Sequence, residues 1–264
     1  MNILFTIDRG YVGHVVDCIK SIVRFEAEDG YDIYILHSDL REEDEKGLTK
    51  KFSGAARIHC IYVNPKWFSE FPETVRYPRL IYYRIFAATL LPDSLERILY
   101  LDGDTLVINS LDELYHMDFG TNDILACTHI RKILNKVNQY RLGTKEEFPY
   151  INSGVMLMNL ASLRKNQKYD EIAEYIKKHK NTLMLPDQDV ITAIYGSKIG
   201  ILNTMKYNLS DRMLFFYNSN PSNRKCTLEW IRKNTVVIHY YGKAKPWNNN
   251  YYGKLGIFYR ELKV

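Results

Sequence analysis

Between residues 2 and 63 the chain alternates short apolar runs with amphipathic ones, and this rhythm constrains its fold more than any other feature. Residues 2–7 read as a buried strand and 31–37 as the next, after the Asp29-Gly30 break; 57–63 read as a third. Between them, residues 12–26 carry Val15, Val16, Ile19, Ile22 and Val23 at helical spacing, and 42–51 read as a charged surface helix. Strand, helix, strand, helix, strand implies right-handed crossovers and a mainly parallel sheet flanked by helices, the α/β class. A nucleotide is the commonest guest of such a half-domain. Neither Gly-x-Gly-x-x-Gly nor a Gly-Lys-Thr/Ser loop follows the first strand, so a phosphate here needs another counter-charge.

The stretch Arg97-Ile-Leu-Tyr-Leu-Asp-Gly-Asp-Thr-Leu-Val-Ile108 offers one. Residues 98–101 are a buried strand, and Asp102 and Asp104 sit where it leaves the core. On an extended backbone the two carboxylates point to one side, and Gly103 permits close approach of a ligand. Such a pair of hard oxygen donors suits Mn²⁺ or Mg²⁺. A chance loop is the plain alternative, and the chain contains a second such triplet, Asp187-Gln188-Asp189. Position favours a site, because ligands of open α/β sheets bind at the carboxyl ends of strands. Asp8, at the end of the first strand, is placed to accept from a base N–H or a ribose hydroxyl.

Residues 78–91 read as a helix carrying Tyr82, Tyr83 and Arg84; the arginine is a phosphate ligand, a partner for a carboxylate, or a snorkelling surface group. Residues 123–127 form another strand, and 131–148 a polar, basic segment that is either a lid or a plain excursion. Strand character returns over 150–159, with Asn152, Ser153 and Gly154 at its entrance, suited to a sugar hydroxyl or to turn chemistry. Residues 169–179 form a helix, and Asp187 reads as the N-cap of the next, leaving Gln188 and Asp189 in its first turn. Residues 235–247 repeat the central pattern: an apolar strand ends in His239, a candidate third metal ligand, and Gly242, Lys243 and Lys245 form a diphosphate cradle.

The formal charge, +5 from 36 Lys plus Arg against 31 Asp plus Glu, is too small and dispersed for nucleic acid. It fits a phosphate-bearing substrate or an anionic membrane surface. Cys18, Cys60, Cys127 and Cys226 have no metal-ligand spacing. The first strand starts without an apolar leader, and no run approaches a membrane span, so a cytoplasmic location is expected. The 21 tyrosines suit a half-wet core before they suit ligand stacking.

These separated motifs together resemble the family 8 glycosyltransferases. The resemblance runs from Phe5 to Trp247 and rests on Tyr83-Arg84, Leu99 to Val107, Ile151 to Gly154, Leu185 to Asp189, and His239 to Trp247. It implies a GT-A fold with a Rossmann-like, mixed but mainly parallel sheet in a single domain over residues 1–250. A nucleotide-binding half over about 1–110 and an acceptor-side half over about 111–250 precede a 251–264 tail. It implies a UDP-sugar donor, with Asp102, Asp104 and His239 holding Mn²⁺, Asp8 at uracil, and Gly242 and Lys245 at the phosphates. Arg84, Asn152, Asp187 and Gln188 match positions around the transferred sugar, and Gly103 and Ser153 stand beside them. The implied reaction is retaining transfer of glucose or galactose from UDP-glucose or UDP-galactose to a glycan, glycolipid or glycoprotein hydroxyl, giving an α-linkage. With glutamine at 188, front-side attack is expected in place of a covalent intermediate.

Gly10 and His129 depart from the pattern, at positions where members carry a polar residue and an aspartate. Two other readings stand: a non-catalytic UDP-sugar-binding protein, and a self-glucosylating primer of the glycogenin kind. The aromatic, basic tail is expected either to rest on a membrane, as peripheral association, or to pack on the sheet.

Overall fold

The computed structural model describes residues 1–75, 77–129, 133–144 and 146–263. Its strands are β1 (Asn2–Thr6), β2 (Asp32–His37), β3 (Arg57–Tyr62), β4 (Arg97–Leu101), β5 (Thr105–Val107), β6 (Ile124–Thr128), β7 (Ile151–Asn159), β8 (Ile199–Ile201) and β9 (Val237–His239). The central sheet has the order β3-β2-β1-β4-β7-β6-β8, and β5 pairs with β9 in a separate two-stranded sheet. Strands β1, β2, β3, β4, β6 and β8 run one way, and β7 runs against its neighbours β4 and β6. The alternation that predicts a mainly parallel α/β sheet is met, with one reversal it does not announce.

Helices Val12–Ile22 and Glu42–Phe52 make the first two crossovers. Alternate side chains of the central strands enter opposite cores. Leu4, Leu36, Ile98, Tyr100, Met156 and Met158 lie in one. Ile3, Phe5, Ile35, Leu99, Leu101 and Leu157 lie in the other. Both faces are therefore covered, which is why these strands read as continuous apolar runs. Many tyrosines belong to these cores, among them Tyr31, Tyr82, Tyr83, Tyr100 and Tyr195.

Three elements differ from expectation. The first helix stops at Ile22 instead of residue 26, where the Val23 N–H closes on Ile19 and Phe25 turns back on Ile22. Residues 78–91 are not one helix. A 3₁₀ turn, Arg79–Tyr82, leads through further i→i−3 hydrogen bonds to a single α turn, Ala87–Leu90. Tyr82, Tyr83, Ile85 and Phe86 are all buried, and the tighter winding lets Arg84 turn towards the strand ends. Within 131–148 the chain forms the helix Ile133–Leu142; residues 130–132 and 145 lie outside the described residues.

The tail packs on the protein. Leu255, Phe258 and Tyr259 lie in a third apolar core with Leu106 and Ile238 of the small sheet and with Tyr240, which follows it. Tyr259 and Lys263 both reach the buried Asp17. Tyr252 is left exposed. Among the described residues no helix is long and apolar enough to cross a membrane. The four cysteines are free, with Cys18, Cys127 and Cys226 buried and Cys60 partly so.

Candidate active site

The reversal of β7 assembles the site. Because β7 is antiparallel to β4, its entrance, Asn152 to Gly154, lies beside the exit of β4. Leu101 pairs with Val155, and the Asp102 N–H donates to the Gly154 carbonyl at 2.8 Å. The chain then turns instead of staying extended: the Thr105 N–H and hydroxyl both donate to the Asp102 carbonyl, at 3.1 and 2.8 Å. Asp102 and Asp104 thus share one side because a turn brings them there, not because of strand alternation. The next residues form β5, whose partner β9 sets Thr105 opposite His239, and the Tyr240 N–H donates to the Asp104 carbonyl at 3.0 Å. The result is that one ligand atom each from Asp102, Asp104 and His239 lies within 4.8 Å of the others.

His239 is 1% exposed. Its Nε2 is 3.1 Å from Asp104 Oδ1 and 3.5 Å from Asp102 Oδ2, yet it is a buried nitrogen without a hydrogen-bond partner among the described residues. Its Nδ1 lies 2.9 Å from Asn208 Oδ1. Burial alone would raise the Asp104 carboxyl; His239 and Lys245, whose ammonium contacts Asp104 Oδ2, outweigh it and hold that carboxyl well below its usual range. A buried imidazole nitrogen facing two carboxylates is a donor set that fits a divalent metal cation.

Arg84 joins this cluster to a second. Its Nη1 is 2.9 Å from Asp102 Oδ1, 3.2 Å from Asp187 Oδ2 and 3.4 Å from Ser153 Oγ, and the guanidinium lies over the Tyr100 ring at 4.5 Å. Tyr100 donates its hydroxyl to Asp102 Oδ1 at 2.7 Å. Arg84 is buried, so it is not the snorkelling surface group that its sequence context also allowed. Burial pushes the Asp187 carboxyl up, against the pull of Arg84 and of the Ser153 hydroxyl, which donates to it at 2.6 Å. Gln188 Oε1 accepts from Asn152 Nδ2 at 2.8 Å and from the Ser153 N–H at 3.3 Å.

Asp187 is not the N-cap of its helix. That position belongs to Leu185, followed by Pro186. The capping work falls to Asp189, which turns away from the site, accepts from the Met184 and Leu185 N–H groups, and pairs with both terminal nitrogens of Arg141 at 2.7 Å. Asp187 is thereby free to face Arg84.

A cavity of about 190 Å³ opens beside the turn, lined by Thr6, Asp8, Tyr11, Arg84, Asp102 and Gly103. Gly103 lies under the Tyr11 ring, where an added Cβ would come within 3.0 Å. Asp8 Oδ1 caps the turn that follows it by accepting from the Tyr11 N–H at 3.0 Å. Gly10 lies against Asp8, and Gly242 has a φ of 101°, a conformation natural only to glycine. His129 Nε2 meets the Asn208 carbonyl at 3.1 Å, and burial followed by the nearby His239 pushes the imidazole down to about 3. A larger groove of about 620 Å³ near Asn109, Glu113 and Trp230 contains none of these residues.

Two contributors are not apparent from sequence. Tyr100 stands inside a motif of the chain, but only burial and contact reveal its part. Asn208 stands in no motif.

The mixed sheet with its carboxylate turn at the strand ends defines a protein of the GT-A fold class, and comparison with solved structures agrees. The galactosyltransferase LgtC, solved in complex with donor and acceptor sugar analogs, superposes with a TM-score of 0.83 at 25% identity over 99% of this chain and 95% of that one. The chain belongs to glycosyl transferase family 8, whose model matches residues 2–251. A lipopolysaccharide 1,2-glucosyltransferase of Escherichia coli strain K12 is 27% identical over 94% of this chain and 73% of its own length. A putative glycosyltransferase of Haemophilus influenzae is 26% identical with the same coverage.

Proposed function

We propose that this family 8 glycosyltransferase is a metal-dependent, retaining hexosyltransferase. It moves glucose or galactose from UDP-glucose or UDP-galactose to a hydroxyl of a glycan, glycolipid or glycoprotein, with an α-linkage as product. The observation that carries the reading is the convergence of Asp102, Asp104 and His239 within 4.8 Å, next to Arg84, Asp187 and Gln188. Similarity to a glucosyltransferase and to a galactosyltransferase supports the substrate class and leaves both sugars in it.

Asp102, Asp104 and His239 hold the cation. When bound, that cation supplies positive charge opposite a diphosphate and Lewis acidity towards departing UDP. Lys245 adds a second positive charge beside Asp104, and Gly242 lets the backbone approach the phosphates. Asp8 and the cavity next to it receive the uracil and ribose. Arg84 holds Asp102 and Asp187 in place, so that the carboxylates of the cation site and of the sugar site keep a fixed separation. Asp187, Asn152 and Ser153 surround the sugar.

Gln188 faces the anomeric carbon. Both acceptor positions of its amide oxygen are taken by chain donors, Asn152 Nδ2 and the Ser153 N–H, so it offers a carbonyl dipole and no free lone pair. That makes it a poor nucleophile and a suitable support for oxocarbenium-like charge. Retention then comes from front-side attack by the acceptor hydroxyl.

The test is a hydrolysis screen across UDP-sugars, with water as acceptor and Mn²⁺ present or chelated. Consumption of UDP-glucose or UDP-galactose only with the cation is expected. Binding without consumption under every condition would leave a non-catalytic UDP-sugar-binding protein. Hexose added to the protein itself, read by mass spectrometry, would indicate a self-glucosylating primer.

A further inference from the structure

Asn208 is 0% exposed, lies in no motif, and touches a group from each half of the site. It follows the short helical turn Thr204–Tyr207, and the next residue, Leu209, bridges β9 at Ile238. The Leu209 N–H donates to Val237 at 3.0 Å, and the His239 N–H donates to Leu209 at 2.7 Å, so Asn208 is clamped alongside His239.

The direction of each hydrogen bond around it follows from two backbone donors. The Ser153 N–H can only donate, which identifies its partner on Gln188 as the oxygen; the Gly154 N–H, 3.2 Å from Asn152 Oδ1, does the same for Asn152. Asn152 therefore presents its Nδ2 to Gln188 at 2.8 Å, and its oxygen accepts from Asn208 Nδ2 at 2.8 Å. Asn208 is left with only its oxygen to offer to His239 Nδ1, 2.9 Å away. An acceptor at that place requires a proton on Nδ1, and a neutral imidazole then carries its lone pair on Nε2, the atom that faces Asp102 and Asp104.

We propose that Asn208 is a positioning residue that fixes the tautomer and the plane of His239 for cation binding. It does so as the last member of an amide relay, Gln188–Asn152–Asn208–His239, that ties the sugar side of the site to the cation side. The inference rests on the reading of His239 as a cation ligand. A hydrogen bond to the far nitrogen of a ligating histidine is a general device for orienting the ring and raising its basicity.

The experiment uses the full chain with Mn²⁺ alone, without donor sugar. Long-range ¹H–¹⁵N NMR of the unmodified protein, recorded before Mn²⁺ is added because the bound paramagnetic ion broadens the ring of its own ligand beyond detection, reads whether His239 Nδ1 carries a proton, with His239→Gln identifying the signal. Calorimetry then compares Mn²⁺ affinity in Asn208→Leu, Asn208→Asp and His239→Gln, with circular dichroism to establish folding. We expect a proton on Nδ1, a loss of Mn²⁺ affinity of about 10–100-fold in Asn208→Leu, and much smaller loss in Asn208→Asp, which keeps the acceptor. An unprotonated Nδ1 in the unmodified protein, whatever the state of Nε2, overturns the proposal even if no variant folds. Unchanged affinity in a folded Asn208→Leu protein overturns it as well. If His239→Gln binds Mn²⁺ as tightly as the unmodified protein, the ligand role of His239 itself is wrong, which is a separate failure.

Discussion

Gly154 and His239 are so close that a Cβ on Gly154 would fall 2.1 Å from His239 Cε1. The same atom would lie 2.7 Å from Asp102 Oδ2. The backbone of β7 thus forms the wall against which the imidazole and a carboxylate are set, and any side chain on Gly154 would displace one or both. We predict that Gly154→Ala costs about 1–3 kcal/mol in stability through overpacking. It should also weaken Mn²⁺ binding at least about tenfold, because His239 has no slack on its Asn208 side. Urea denaturation and titration calorimetry check the two effects, and an unaltered Mn²⁺ affinity would show that the contact does not set the ligand geometry.

Arg84, itself buried, stands between the buried Asp187 and the partly buried Asp102 and offers its one positive charge to both. Its removal leaves the buried Asp187 carboxylate without its counter-charge, so Arg84→Ala should destabilise the fold by about 3–5 kcal/mol. Arg84→Lys should rescue little, since a single ammonium does not reproduce a planar group that stacks on Tyr100 and reaches two carboxylates. Denaturation midpoints of the two variants decide the point.

Gln188→Ala should lower turnover while leaving UDP binding nearly intact, because the proposed mechanism sets its amide, bonded to Asn152 and Ser153, at the sugar and not at the nucleotide. Single-turnover rates beside UDP calorimetry separate the two quantities. Equal loss of both would remove Gln188 from the reacting centre.

Far from the site, Asp32 provides a pH-dependent contribution with a definite sign. Arg57 hydrogen-bonds to it first and foremost, His59 assists against burial, and the carboxyl is held at about 2. A depressed carboxyl stabilises the fold above its unfolded value near 4 and loses that contribution as pH falls through about 2. Asp32→Asn should therefore cost stability at pH 7 and almost none at pH 2; after solvent screening the neutral-pH cost is about 1 kcal/mol. Thermal melts of both proteins across that window measure it.

The tail makes a structural prediction. Deleting residues 256–264 removes Phe258 and Tyr259 from the third core and strips Asp17 of Tyr259 and Lys263. Each buried aromatic is worth about 1.5–3 kcal/mol, so the truncated protein should melt well below the intact one. Liposome sedimentation of the intact chain should show no dependence on these buried rings.

How far the sequence foretold this depends on the residue. Asp102, Asp104 and His239 were legible because each stands at the end of an apolar strand, where a polar group contributes nothing to the core and is free to face a ligand. The crossovers at Val12–Ile22 and Glu42–Phe52 were legible through helical spacing. Strand direction was not: β7 has the same composition whichever way it runs, yet its reversal is what brings Asn152 and Gly154 to Asp102. Residues 78–91 read as one helix, whereas Tyr82, Tyr83, Ile85 and Phe86 are all buried and the chain there winds in tighter 3₁₀ turns that carry Arg84. Asp187 looked like a cap because caps are local, while the actual partner of the helix end, Asp189, is chosen by a distant Arg141. Asn208 left no trace, since a lone asparagine after a short turn has no pattern until its neighbours are known.

Everything in this mechanism depends on one cation shared by two carboxylates of a turn and by Nε2 of a histidine far along the chain. Crystals grown with Mn²⁺ and UDP, measured at the manganese absorption edge, would reveal whether that sharing occurs. We expect one anomalous peak bonded to Asp102, Asp104 and His239 Nε2, with the UDP diphosphate beside it. Ordered UDP with no such peak, or a peak that His239 does not touch, would refute the shared site.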